Sequence, residues 1–378
     1  VKSLQWLLTH SFYAKALAVK RVTSNKGKKT PGVDDVLWKS PRAKMQAVYE
    51  LKQHGYKAQP LRRIYIPKKN GKKRPLSIPT MYDRAMQALY KLALAPVAET
   101  LADKNSYGFR EGRSCADAVA AAFNALSKPN SASWVLEGDI SGCYDNISTD
   151  WLMANIPIEK RILKQWLRAG YVENGIAFPT RKGTPQGGVI SPTLANMTLD
   201  GLETAIHDAV PYRPRVNFIR YADDFIITGK SKTILDRYVI PTVKKFLAGR
   251  GLALSEEKTK ITHITRGFTF LGQTFRKRGN VLRITPSKEG VLALMRNVGT
   301  VLRKYTSASM FLLIKKLNEL LRGWANYHRH VVSSEAFSRV DRYVHDQLWR
   351  MLRRRHRNKS SNWLYKKYWM SSGNKWIL

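Results

Sequence analysis

Cysteine is nearly absent: Cys115 and Cys143 are the only two in 378 residues, too few for a disulfide framework or a zinc cluster. The expectation is a reducing compartment, bacterial cytosol or organelle matrix, with both thiols buried as small hydrophobes. Long apolar runs are missing too. No stretch approaches the roughly 18 consecutive apolar residues that a membrane span needs, and the start at Val1 carries no secretory signal pattern. Acidic residues are scarce, 27 Asp and Glu against 66 Lys and Arg, which gives a formal charge of +39. Such a chain repels itself unless it meets a polyanion. Nucleic acid fits best, because basic side chains displace counterions from phosphates and the 10 Trp and 17 Tyr offer stacking surfaces. An anionic membrane surface is the rival. No internal repeat is visible.

The few acids are concentrated where they can do chemistry. Tyr221-Ala222-Asp223-Asp224 lies between Phe218-Ile219 and Phe225-Ile226-Ile227, and reads as the tip of a β-hairpin. Adjacent like charges at the mouth of an apolar sheet raise a carboxyl pKa unless a cation lies between them. A solvated turn is the plain alternative. A partner is present in Asp139, which ends the buried-strand run Trp134-Val135-Leu136-Glu137-Gly138. Carboxylates from separate strands that bracket two divalent ions are what two-metal phosphoryl transfer requires, and Mg2+ suits it by preferring oxygen ligands and bridging phosphates.

Along the chain, apolar positions from 4 to 22 predict a helix, the basic stretch 24–32 a loop, and 43–54 a second helix. Alternation over 61–79 around Asn70-Gly71 predicts a hairpin with a strongly basic tip, either a solvated turn or a grip for a triphosphate. Helices follow at 83–101 and, capped by Ser114, at 115–126. Gly187-Gly188 allows close backbone approach, and Ser191-Pro192 reads as an N-cap and first turn. Leu194, Met197, Leu202 and Ile206 continue at helical spacing. Thr285-Pro286-Ser287 opens three amphipathic helices, through Leu302, Trp324 and Met351.

The ordered blocks IPKKNGKKRPLSIP, YGFREGRS, GDISGCYDNI, GTPQGGVISPTLAN, RYADDF, LSEEKTKI and FLGQTF closely resemble the reverse transcriptases encoded by group II introns. The stretch LNELLRGWANYHRHVVSSEAFSRVDRY resembles the maturase, or thumb, domain of that family. The resemblance implies an α+β right-hand polymerase, with fingers and a palm bearing an antiparallel sheet, followed by an all-α three-helix thumb. It implies boundaries at 1–284 for fingers and palm, 285–370 for the thumb, and 371–378 for the start of a DNA-binding segment. The family often continues into an endonuclease with zinc-binding cysteines; none is expected within this chain.

Carried over position by position, the resemblance makes Asp139, Asp223 and Asp224 the catalytic metal carboxylates, with Ile140 beside them as a metal position. Two Mg2+ ions are implied, with Mn2+ as a possible substitute. The incoming nucleotide is assigned Lys68 or Lys69, Arg74, Ser141, Gly142, Cys143, Tyr144, Gln186, Gly187 and Lys258. Tyr144 resembles the plate that excludes a ribose 2′-hydroxyl, the plain alternative being a core aromatic. Lys258 is either a general acid toward pyrophosphate or the partner of a neighbouring Glu. Nucleic acid is assigned Arg63, Arg110, Arg113 and Gly272; the basic helix face with Arg339, Arg342, Arg350, Arg353 and Arg354, read from its charge, is either a phosphate track for RNA, which the net charge favours, or a solvated face. The implied function is RNA-directed DNA synthesis from dNTPs, with intron RNA as template and splicing substrate, a DNA target or primer, and intron mobility. Two other readings are a splicing factor that does not polymerise and a CRISPR-associated reverse transcriptase.

Overall fold

The computed structural model describes residues 1–67, 71, 73–180, 182–185, 187–211, 215–372 and 375–377. They form two compact units, Val1–His263 and Ile264–Leu378. The helix signal at Thr285-Pro286-Ser287 therefore lies inside the second unit, where Ser287 accepts a hydrogen bond from Gly290 N–H and caps Lys288–Lys304. The strands before it belong with the helices after it.

In the first unit the single helix expected over 4–22 is two, Lys2–His10 and Phe12–Ser24. Ser11 is extended, and its hydroxyl caps the second helix through Ala14 N–H. The basic loop that follows is more than a solvated connector. Arg84, buried on helix Met81–Leu101, donates to the carbonyls of Pro79 at 2.8 Å, Gly27 at 3.0 Å and Thr30 at 2.7 Å. Lys26, Lys28 and Lys29 are left exposed on a fixed backbone.

Two four-stranded sheets frame the site. The first pairs Leu61–Pro67 with Lys73–Ile78 in the expected hairpin, register Ile64 to Leu76 and Pro67 to Lys73, and extends it with Tyr171–Glu173 and Ile176–Phe178. The hairpin tip, with Lys68 and Lys69, lies outside the described residues. The second sheet runs Phe218–Tyr221, Asp224–Gly229, Trp134–Gly138, Lys260–His263, each neighbour antiparallel. Its apolar runs are buried, Val135, Leu136, Ile226 and Ile227 among them, as β-branched and aliphatic strand residues covered on a face should be.

Gly138 ends the central strand opposite Phe225, and a Cβ there would lie 2.2–2.9 Å from the Phe225 ring. Gly138→Ala therefore forces the ring off its seat. The expected cost is about 2 kcal/mol of stability, read from denaturant midpoints, as for an overpacked core; an unchanged midpoint would show that the ring has room to move.

The helical run expected from Leu194 through Ile206 is broken between Ser191–Leu199 and Leu202–Ala209 by Gly201, at φ +90°. Ser191 is not the cap: it sits in the first turn and its hydroxyl donates to Pro185 O at 2.9 Å.

The second unit opens with three antiparallel strands, Phe268–Phe270, Gln273–Arg278 and Val281–Pro286. Helices Lys288–Lys304, Met310–His328 and Ser334–Arg355 follow as expected. A fourth, Ser361–Tyr368, departs from the three-helix expectation; its eight residues bury only Leu364, too little for a visible apolar stripe. Leu364 joins Val298, Leu302, Leu313, Leu317, Leu348 and Leu352 in one core. Met370–Ser372 and Lys375–Ile377 form a short antiparallel strand pair.

Candidate active site

Strand pairing explains why residues far apart in sequence share one end of the second sheet. Gly138 pairs with Phe225, so one step further Asp139 and Asp224 stand at the same end of neighbouring strands. Tyr221 pairs with Asp224, leaving Ala222-Asp223 as the tight turn. Asp139 is held by its backbone, its carbonyl accepting from Ser255 N–H at 2.8 Å, and the buried Ile140 bridges to Leu254.

The three carboxylates feel one another. Withdrawal from water, and then the charges of Asp223 and Asp139, push the Asp224 carboxyl up to about 6, while Lys258 pulls it down. The Asp224 surface is exposed, so the crowding of charge, more than desolvation, is what a cation there would relieve. Lys258 does not pair with the glutamates beside it. Its Nζ lies 2.8 Å from Asp139 Oδ2, and that bond raises the Lys258 pKa. Among the described residues no three His, Cys, Asp or Glu side chains converge on one point suited to a metal. The donor chemistry nevertheless fits: clustered carboxylate oxygens with a deficit of positive charge are what a hard divalent cation binds.

Tyr144 lies on the short helix Cys143–Asn146 that follows Gly142, at φ +53°. Burial, then Asp223, push its phenol up, and the exposed Arg74 of the basic hairpin pulls it down, so the ring feels both the carboxylate end of the sheet and the hairpin. Burial, followed by Asp223, lifts the Cys143 thiol to about 12, which makes it inert. Cys115 departs from expectation in being only half-buried. Ser141 N–H donates to Ala253 O at 2.9 Å, and Asn146 donates back to Ser141 O, fixing this turn.

The glycine-rich loop seats against the same turn. Thr184 N–H donates to Tyr144 O at 2.7 Å, and a Cβ on Gly183 would lie 2.4 Å from that carbonyl. Gly187, at φ +121°, approaches Ser77 O just as closely, joining the loop to the basic hairpin. Gln186 lies outside the described residues. Arg63 packs 3.8 Å over the Tyr171 ring and lines a small cavity with Asp145, Lys182 and Thr184.

Arg110 and Arg113 turn inward. Arg110 bonds the Glu99 carboxylate and the carbonyls of Asp103 at 2.7 Å and Ser106 at 2.9 Å; Arg113 reaches Lys104 O and Ser106 O. The structure gives Arg110 a supporting place in its own loop rather than a contact surface.

In the second unit Gly272, at φ +73°, forms an open turn with Leu271, and Tyr327 Oη donates to Leu271 O at 2.8 Å. Arg339, Arg342, Arg350, Arg353 and Arg354 are all exposed on helix Ser334–Arg355. The first four follow one stripe in three- and four-residue steps through Asp346. Two residues tied to the Ala222-Asp223 turn, Arg220 and Asn196, fall inside the blocks RYADDF and GTPQGGVISPTLAN, yet residue type and spacing give them no role there, because their importance is a matter of buried side-chain bonds.

An antiparallel sheet that gathers carboxylates at one end, beside an aromatic ring and a basic hairpin, defines a palm-type polymerase domain. A profile described as reverse transcriptase (RNA-dependent DNA polymerase) matches residues 66–275, one described as the N-terminal domain of reverse transcriptase matches 1–51, and one described as the group II intron, maturase-specific domain matches 291–369. The chain belongs to the reverse transcriptase family, in its group II intron-encoded branch.

Protein YkfC of Escherichia coli is 33% identical over 308 residues, covering 70% of this chain and 80% of that protein. The group II intron-encoded protein LtrA of Lactococcus lactis is 32% identical over 330 residues, covering 69% and 55%. An uncharacterized 91 kDa protein in the cob intron of Schizosaccharomyces pombe is 29% identical, covering 80% and 44%. The chain thus spans about half the length of the latter two. Among the described residues no helix is long and apolar enough to cross a membrane.

Proposed function

We propose that the chain extends a primer 3′-hydroxyl with dNTPs on an RNA template, and that it binds the RNA of its own intron to assist splicing and the copying of that intron back into DNA. The observation that supports the reading is the strand pairing that sets Asp139 beside Asp224 with Asp223 in the adjoining turn, at the end of the sheet whose charges also act on Tyr144. A nucleotide with its triphosphate on the basic hairpin and its α-phosphate at the carboxylates would rest its sugar against that ring.

Asp139, Asp223 and Asp224, with the Ile140 backbone, would hold two divalent ions, Mg2+ or Mn2+ in its place. Such ions, when bound, would supply a lowered pKa for the attacking hydroxyl and positive charge for the leaving pyrophosphate. The protein's own part is positioning. Arg74, with Lys68 or Lys69, meets the triphosphate, and the Ser141–Cys143 backbone borders it. Gln186 and Gly187 would line the nucleotide pocket, and Lys258, once released from Asp139, would serve as the general acid toward pyrophosphate. Arg63 and the turn at Gly272 would guide template and primer.

Primer extension on an RNA template with dNTPs tests the reading; tight RNA binding with no extension would leave only a splicing role. Recovery of a structured intron RNA with the purified protein is the expected sign of the second activity. The arginine stripe makes a separate claim. Replacing Arg339, Arg342, Arg350 and Arg353 by Ala should weaken RNA binding uniformly across sequences and reduce the slope of log affinity against log salt by about 0.7 per arginine. An unchanged slope would remove those residues from the RNA track.

A further inference from the structure

The Asp223 turn rests on a backbone conformation that its own sequence does not favour. Ala222 has φ +59°, in the region that side chains bearing a Cβ rarely occupy, and such a residue persists only where its surroundings hold it. Those surroundings are specific. Arg220, completely buried in the strand leading to the turn, donates from Nη1 to Ala222 O at 3.4 Å and to Asn196 Oδ1 at 3.2 Å, and from Nη2 to Asp200 Oδ1 at 2.5 Å. Asn196, buried on helix Ser191–Leu199, turns its amide nitrogen the other way and donates to Gly108 O at 2.7 Å. Gly108 is pressed against the turn itself: a Cβ there would lie 2.4 Å from Ala222 N. Backbone bonds from Tyr107 N–H to Arg220 O at 2.8 Å and from Arg220 N–H to Asn105 O at 2.9 Å lay the 105–108 segment along the strand.

We propose that Arg220, Asn196 and Gly108 form a buried clamp that holds Ala222 at positive φ and thereby sets where Asp223 and Asp224 stand relative to Asp139. Arg220 and Asn196 are positioning residues: neither reaches substrate, and both act through the turn. A guanidinium suits the task because its planar fork serves the turn carbonyl, an amide and a carboxylate at once, which a lysine ammonium on a flexible stem does not reproduce. The pairing with Asp200 keeps the buried charge compensated, while the weaker arm to Ala222 O carries the positional information. The clamp also assigns a purpose to the glycine of Tyr107-Gly108-Phe109, which otherwise sits in a loop far from the carboxylates in sequence.

The inference rests on Asp223 and Asp224 being the reacting carboxylates, so its test needs one readout that depends on polymerisation and one that does not. Arg220→Lys and Asn196→Ala are made in the full chain and compared with the wild type. Arg220→Lys keeps the charge opposite Asp200 and guards against simple loss of folding. The expected result is a fall in kcat for dNTP addition of about 10- to 100-fold, since displacement of a reacting group by an ångström is worth about that much. KM for dNTP and template-primer affinity should stay within about twofold. Amide hydrogen exchange in the unliganded protein should quicken over residues 221–224, with the rest of the sheet unchanged. Unaltered exchange at the turn in both variants, or a loss of activity matched by a loss of folded protein, would overturn the clamp. A wild-type protein without polymerase activity would overturn the functional reading instead, and the exchange data would still decide whether the clamp exists.

Discussion

Asp223→Asn is expected to reduce cDNA synthesis by on the order of 10³-fold, the scale on which losing one preorganised charged group at a reacting centre is felt, while RNA affinity should stay within about twofold. The separation follows from where charge sits. Asp223 stands in a turn beside Asp224 and within the field of Tyr144, at the carboxylate end of its sheet, whereas the exposed arginines that would carry most RNA affinity lie on helix Ser334–Arg355 in the other unit. The substitution also removes one of the charges that push the Asp224 carboxyl up to about 6. With that repulsion gone the folded pKa of Asp224 falls toward its ordinary value, so the remaining carboxylate ionises at lower pH in the variant. Single-turnover primer extension alongside filter binding reads both effects. Wild-type extension rates in the variant would remove Asp223 from the chemistry.

Tyr144→Ala should leave dNTP incorporation within about tenfold of wild type but raise ribonucleotide incorporation, narrowing the preference for deoxynucleotides about 100-fold, the range that one well-placed steric contact supplies. The ring is half-buried, and its backbone is fixed by Thr184 N–H on the Tyr144 carbonyl and by the close approach of Gly183. Ratios of kcat/KM for matched dNTP and rNTP pairs measure this. Equal loss of both substrates would mark Tyr144 as a core aromatic instead.

What could be read from the sequence was local. The hairpin at 61–78 announced itself by alternation around Asn70-Gly71, that at 218–229 by two apolar runs on either side of adjacent carboxylates, and Ser114 caps the helix it was expected to cap, with Asp117 adding the return bond. What could not be read was which polar side chain is buried against which. Arg110 and Arg220 are both arginines beside aromatics, yet the first is committed to Glu99 and two carbonyls and the second to the Ala222-Asp223 turn. Lys258 next to two glutamates looked like a local pair, and only the approach of the 255–258 turn to the central strand brings it to Asp139 instead. The shift from helix to break at Asp200-Gly201 was likewise hidden, because the apolar spacing runs straight through it.

The anchoring of the basic loop by Arg84 bears on kinetics more than on affinity. A cationic segment that must be ordered at each encounter charges that ordering against the bound state and leaves a heat-capacity signature of coupled folding. Here two carbonyl bonds to one buried guanidinium, at Gly27 and Thr30, settle the backbone of residues 27–30 when the protein folds. Any polyanion meeting Lys26, Lys28 and Lys29 finds charges already fixed in space, so its capture is governed by diffusion and ionic strength rather than by a conformational search.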